Sequence, residues 1–210
     1  EEPNPGVTEK EPYGAMLHAM LANGGELPTL FFLSGGPGIS NSSFVPTDYR
    51  LQKGDRLIDE IEAKYAGYAA QAVCPVVLGT PDDEYQTMID ISRACFDAIL
   101  HQMKPGVTFG LLFDIYCDTV ERVGKGQYLW NHPVMHARGL GDDGPALLGD
   151  SDLERFSKIE LQAGMTFILK PQVRPKQGKG RASIGDTVVV TESGARRLGK
   201  RELKLIVKNV

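Results

Sequence analysis

The chain has 210 residues, 41% of them apolar and 24% charged, which is enough for one large or two small globular domains and too apolar for a disordered segment. A net charge of −4 argues against nucleic acid as the main partner, because phosphate binding wants a basic face. No apolar run reaches the roughly 18 residues of a membrane helix, and no membrane partner is expected. Cys74, Cys95 and Cys117 lack metal-ligand spacing and read as free thiols in a reducing cytosol, so a cytoplasmic location is expected. No signal peptide is visible, and the chain opens at Glu1 without a methionine, so the native N-terminus is expected to lie upstream.

In chain order, Thr8 and Glu11 form a capping box, and Ala15, Met16, Ala19 and Met20 recur at helical spacing, which predicts a helix over residues 8–23. Thr29–Leu33 reads as a short strand broken by Gly35-Gly36-Pro37-Gly38, a turn without the lysine or following helix of a phosphate loop. Arg56–Glu62 and Tyr65–Leu78 read as two strands joined by a short turn. The apolar stripe Tyr85, Met88, Ile89, Ile91, Ala94, Phe96, Ile99 and Leu100 predicts a helix over 82–103, ended by Pro105-Gly106. Thr108 opens another helix to about Val123. Residues 124–150 are glycine-rich and read as irregular, and Leu153–Leu161 carries no clear pattern. Thr166–Val173 and Asp186–Thr191 read as strands around the basic loop Lys176–Arg181. Glu192-Ser193-Gly194 is a hairpin turn and Glu202–Val207 a last strand. That loop and the run Arg196, Arg197, Lys200, Arg201, Lys204 read as solvated faces, and Cys74 before Pro75 as a buried, inert thiol.

A repeat underlies this order. Pro5-Gly6-Val7-Thr8 recurs as Pro105-Gly106-Val107-Thr108, and Leu51-Gln52-Lys53-Gly54 as Leu161-Gln162-Ala163-Gly164, at offsets of 100 and 110 residues. Each first motif precedes a helix and each second a strand, which predicts a duplicated α–β–β unit about a pseudo-twofold axis. The fold class expected is α+β, with helices on one side of a curved, mostly antiparallel sheet.

Four segments, in order, carry a resemblance. Gly54-Asp55-Arg56-Leu57-Ile58-Asp59-Glu60 through Tyr68, His132-Pro133-Val134-Met135-His136-Ala137-Arg138-Gly139, Leu161 to Pro171, and Gly185-Asp186-Thr187-Val188-Val189-Val190-Thr191-Glu192-Ser193-Gly194 resemble the metal-site segments of the pita-bread peptidases: methionine aminopeptidase, aminopeptidase P, prolidase and creatinase. The resemblance spans about residues 5–200. It implies the pita-bread fold over 1–210, with a first half 1–104 and a second half 105–210. It also implies an N-terminal domain, expected outside these residues, that covers the cleft and helps form a homodimer in the full-length protein.

The family holds two divalent cations with Asp, Asp, His, Glu and Glu. Carried over by position, these fall on Glu60, Gln71, His136, Lys170 and Gly185; the His of the earlier loop falls near Ser43 or Phe44, and a second substrate-side His near Asp143. A two-cation site needs anionic oxygens, so no metal cofactor is expected: Gln71 is a poor ligand for a hard cation, Gly185 offers none, and Lys170 puts an ammonium where a carboxylate should bridge. Glu60 and Lys170 are 110 residues apart, the offset of the second repeat. They are expected to face one another as a buried ion pair, because an unpaired buried cation costs several kcal/mol, roughly. His136 is the candidate general acid/base, with Asp142 or Asp143 to orient it; Glu60 and Lys170 would position charge. His132, Arg138 and Gln71 are candidate substrate contacts, Arg138 for a carboxylate. For the histidines and Arg138, plain loop roles stand beside these.

Three functions remain open at this point: a metal-independent hydrolase of a small amide or guanidino C–N bond, for which creatinase is the metal-free precedent; an inactive pseudo-peptidase that binds a peptide or protein; and a metallo-aminopeptidase whose ligands lie in a different register. The substrate expected is a small molecule or short peptide.

Overall fold

The computed structural model describes residues 3–36, 45–132, 134–141 and 144–210. Its helices are α1 (Lys10–Ala22), α2 (Asp83–Gln102), α3 (Phe109–Val123) and α4 (Asp150–Phe156). Its strands are β1 (Phe31–Gly35), β2 (Arg56–Tyr65), β3 (Tyr68–Val73), β4 (Val76–Leu78), β5 (Tyr128–Asn131), β6 (Met135–Ala137), β7 (Ala146–Leu147), β8 (Thr166–Leu169), β9 (Gln172–Pro175), β10 (Ala182–Ser183), β11 (Gly185–Val190), β12 (Ala195–Arg197) and β13 (Ile206–Lys208). None of these helices is long and apolar enough to cross a membrane.

Helices α2 and α3 start where their sequences supply a side-chain cap, and α1 starts just after a bonded Thr8–Glu11 pair. Glu11 takes the Thr8 amide at 2.8 Å and its hydroxyl at 3.2 Å, which is one arm of the expected capping box. Asp82 accepts the Tyr85 amide ahead of α2, and Thr108 the Leu111 amide ahead of α3. The turn between β2 and β3 is Ala66-Gly67, both at positive φ (49° and 76°), the conformation a two-residue hairpin demands.

The main sheet runs β13-β4-β2-β3-β11-β8-β6-β7, with β1 on β2 and β12 on β11; β10-β9-β5 form a smaller sheet. Among the described residues every pairing is antiparallel except β13 with β4. Alternation along the strands sends Phe167, Leu169 and Val188 into a large apolar cluster with α2 and α3, through Tyr85, Ile91, Phe96, Phe109 and Tyr116. The opposite face carries Glu60, Gln71, Ile168 and His136, each level with a neighbour across the ladder.

The repeat reappears bond by bond. Gly6 N–H donates to Leu51 O at 2.8 Å, and Gly106 N–H to Leu161 O at 3.0 Å; Leu51 donates back to Val7 and Leu161 to Val107. Gly54 N–H reaches Leu78 O and Gly164 N–H reaches Val190 O. The φ angles agree as well, at +94° and +87° for Gly6 and Gly106 and at +92° and +90° for Gly54 and Gly164. These values lie in the region that favours glycine, so the same residue type recurs because the same turn recurs.

Some expected elements differ. Tyr65 belongs to β2, and the expected Tyr65–Leu78 strand is the two strands Tyr68–Val73 and Val76–Leu78 broken at Cys74-Pro75; Thr166–Val173 is two broken at Lys170-Pro171, since proline brings no N–H to a ladder. Residues 124–150 hold β5, β6 and β7, each of two to four residues, too short for a periodic signal. The last strand is only Ile206–Lys208, and it joins β4 in parallel.

Candidate active site

The face opposite α2 and α3 collects the charged residues at the seam between the halves. Two register pairs, Gly185 with Val73 and Asp186 with Ala72, join β11 to β3. Beside them the Thr187 hydroxyl bridges the Gln71 backbone, accepting its N–H at 2.7 Å and donating to its C=O at 2.8 Å.

Across this seam Lys170 Nζ lies 2.6 Å from Glu60 Oε2, with side chains 6% and 12% exposed. The expected pair is therefore present and largely dry, well inside the roughly 4–6 Å over which one charge stabilises another. Gln71 donates its Nε2 to the same Glu60 oxygen at 3.1 Å, while its buried Oε1 has no hydrogen-bond partner among the described residues. Lys170 is placed by its own backbone, whose N–H bonds Val134 O, and by Ser183 and Ser92, whose hydroxyls hold the Lys170 and Pro171 carbonyls. His136, on β6, is buried, and its Nδ1 lies 2.9 Å from Ala137 O. A donating Nδ1–H there selects the tautomer that carries its lone pair on Nε2.

Other candidates go elsewhere. The Arg138 guanidinium pairs with Glu62, and both side chains are buried, at 3% and 0% exposure; Glu62 also takes the Thr29 amide at 2.6 Å. The arginine is thus held within the fold by a carboxylate of the chain itself. His132 stacks on Phe113 at 5.9 Å, stands edge-on to Trp130, and reaches Asp150 at 3.3 Å, in a different cluster from Glu60. Asp142, Asp143, Ser43 and Phe44 lie outside the described residues.

Several residues the sequence placed on solvated faces belong to this region. Arg181 is half-buried at the end of the basic loop, with Nη1 at 3.4 Å from Gln172 Oε1; burial pulls its pKa down and the nearby Glu60 charge opposes that shift. On the far side of the seam, Arg201 reaches the backbones of β3 and β11, and Asp59 and Asp186 are buried near it. Burial pushes Asp59 up to about 7, against the Cys74 amide and Arg201, and raises Asp186 as well. The Cys74 thiol is pushed up to about 12 by burial, with Asp59 adding to the rise, as an inert thiol should be. The signal for these residues lay only in their type: charged side chains inside otherwise apolar strands or next to a hairpin. Among the described residues, no three of His, Cys, Asp and Glu converge as a metal-holding group.

A duplicated α+β frame with its charged seam on the sheet face away from the helices is the architecture of the pita-bread peptidases. The chain belongs to metallopeptidase family M24, whose model matches residues 1–192. It is 27% identical over 209 residues to an Xaa-Pro dipeptidase of Pyrococcus horikoshii, covering 98% of this chain and 57% of that protein. Its fold matches a dipeptidase PepE from Mycobacterium ulcerans with a TM-score of 0.85 at 25% identity, over 99% of this chain and 54% of that one. An X-Pro aminopeptidase from Thermotoga maritima matches with a TM-score of 0.84 at 25% identity, over 97% and 56%. The chain thus spans little more than half the length of these relatives.

Proposed function

We propose that this domain hydrolyses a small amide-like or guanidino C–N bond, in a short peptide or related molecule, without divalent cations. The supporting observation is the Glu60–Lys170 pair at 2.6 Å. The carried-over positions hold one carboxylate, one amide, one imidazole, one ammonium and a glycine, a donor set that does not balance two divalent cations. Gly185 cannot be refilled in place: a Cβ there would come within 2.7 Å of both Leu169 O and Lys170 Cβ. The family's metal site is therefore degenerate in this reading.

With an amide substrate, the Lys170 ammonium stabilises the oxyanion that forms on the carbonyl oxygen as water adds to the carbon, a role a fixed charge fills best in a dry site. Glu60 holds that ammonium in place. The unpartnered Gln71 Oε1 accepts an N–H of the substrate. His136 Nε2 takes a proton from the attacking water and returns it to the leaving nitrogen as the C–N bond breaks.

A second reading is a binding module that holds a peptide without cleaving it. What favours it is burial: Glu60 and Lys170 already satisfy one another, and Gln71 is 2% exposed. One experiment separates the readings. The protein is assayed on a panel of dipeptides, Xaa-Pro peptides and guanidino acids with and without EDTA, beside elemental analysis. Hydrolysis that survives chelation and falls roughly 100-fold or more in His136→Ala, as loss of a general acid/base should cause, supports the first. Peptide binding without turnover supports the second. Stoichiometric manganese, cobalt or zinc needed for turnover overturns both.

A further inference from the structure

Arg201 belongs to the basic run near the C-terminus, yet it is turned inward. Its Nη2 donates to Val73 O at 2.9 Å and to Gly185 O at 2.6 Å. These carbonyls belong to the two residues that face each other in the short β3–β11 register, so one nitrogen bridges both halves of the duplicated sheet. The loop behind it is fixed in turn: Arg197 hydrogen-bonds the Arg201 and Gly199 carbonyls and lies 3.4 Å from Asp186 Oδ2. Asp59 and Asp186, both buried, lie near the half-buried guanidinium, whose positive charge opposes the rise that burial causes in their carboxyls.

Both clamped residues abut the ion pair on the other face. Val73 is the register partner of Glu60. Gly185 packs so closely on Lys170 that the space for its missing Cβ is already filled by the Lys170 Cα and Cβ. With only two register pairs joining the halves here, the spacing of Val73 and Gly185 sets the spacing of Glu60 and Lys170. We propose that Arg201 is a positioning residue for the Glu60–Lys170 pair, clamping from the opposite face of the sheet β3 and β11, the two strands that lie between Glu60 on β2 and Lys170 at the end of β8. It touches neither partner; it acts through the adjoining backbone, β3 beside the strand of Glu60 and β11 beside the strand that leads to Lys170.

The test reads Lys170 directly and does not depend on what the site binds or cleaves. The protein is treated with limiting acetic anhydride, and acetylation of Lys170 is followed by mass spectrometry in the parent, Arg201→Met and Arg201→Lys. Cys95, fully buried in α2, is followed with iodoacetamide as the monitor of global opening. Loss of the clamp should raise Lys170 acetylation about tenfold while Cys95 stays unchanged, the signature of local rather than global opening. Arg201→Lys, whose ammonium can still donate to both carbonyls, should stay within about twofold of the parent. If Arg201→Met does not fold, Arg201→Leu, which likewise has no donor, takes its place with the same expectation. Unchanged Lys170 acetylation overturns the proposal. So does a rise that only tracks Cys95, or an equal rise in the lysine variant, since each would leave Arg201 with no more than a general structural role.

Discussion

A buried ion pair is costly to break from one side. Removing the Lys170 ammonium takes the 2.6 Å counter-charge from a Glu60 carboxylate only 12% exposed, which keeps the Gln71 amide as a donor. Lys170→Met should therefore lose about 3–5 kcal/mol in urea unfolding. The double change Glu60→Gln, Lys170→Met should recover much of that loss, because the uncompensated charge is gone. Additive losses in the double variant would show that the two side chains do not act as a pair. Asp59 carries the clearest pH dependence. Burial lifts its carboxyl to about 7, against about 3.9 in an unfolded chain. The folded state therefore keeps a proton that the unfolded state releases, and stability falls as pH rises from about 4 to about 7, then levels off. Asp59→Asn should flatten that slope and be the more stable form at pH 8, by about 1.4 kcal/mol for every tenfold difference in proton affinity between the folded and unfolded chain. Urea midpoints at pH 5 and 8 check it; an unchanged slope would assign the dependence to another group.

Among the elements, the helices were legible and the strands only partly so. Helix α2 announces itself through a stripe from Tyr85 to Leu100 that the structure buries except at the half-buried Ala94 and Leu100, and Thr108 caps α3 as its position implies. Strands β5, β6 and β7 run only two to four residues through a glycine-rich stretch, and a period of two cannot be seen in so few. The prolines at 75 and 171 did carry a signal, since a proline inside a strand pattern marks a break or an edge. Both breaks matter for the site: the first turns the chain just after Val73, and the second just after Lys170. The Glu60–Lys170 pair was legible because duplication placed its partners at a known offset. The Glu62–Arg138 pair and the Arg201 clamp were not, because their partners come from strands 76 and 128 residues away, and only the folded sheet brings them together.

For the whole molecule, the duplication separates what the backbone frame contributes from what apolar packing contributes. Leu51 and Leu161 hold equivalent positions, each 1% exposed and each tied by paired backbone bonds to its Pro-Gly-Val-Thr turn. Their surroundings differ. Leu161 belongs to the large cluster under α2 and α3, whereas Leu51 packs in a small one with Leu33, Leu57 and Leu78. The cost of a leucine-to-alanine change depends on how far the site can collapse around the void. A large core packed from several sides relaxes little, while a small cluster with half-buried neighbours such as Met16 and Tyr49 can close over the gap. Leu161→Ala should therefore cost about 3–5 kcal/mol, and Leu51→Ala nearer to about 2 kcal/mol. Urea unfolding of both variants with a shared m-value measures the difference. Equal losses would mean that the repeated hydrogen-bonded turns, rather than the packing that distinguishes the halves, set the stability of each leucine.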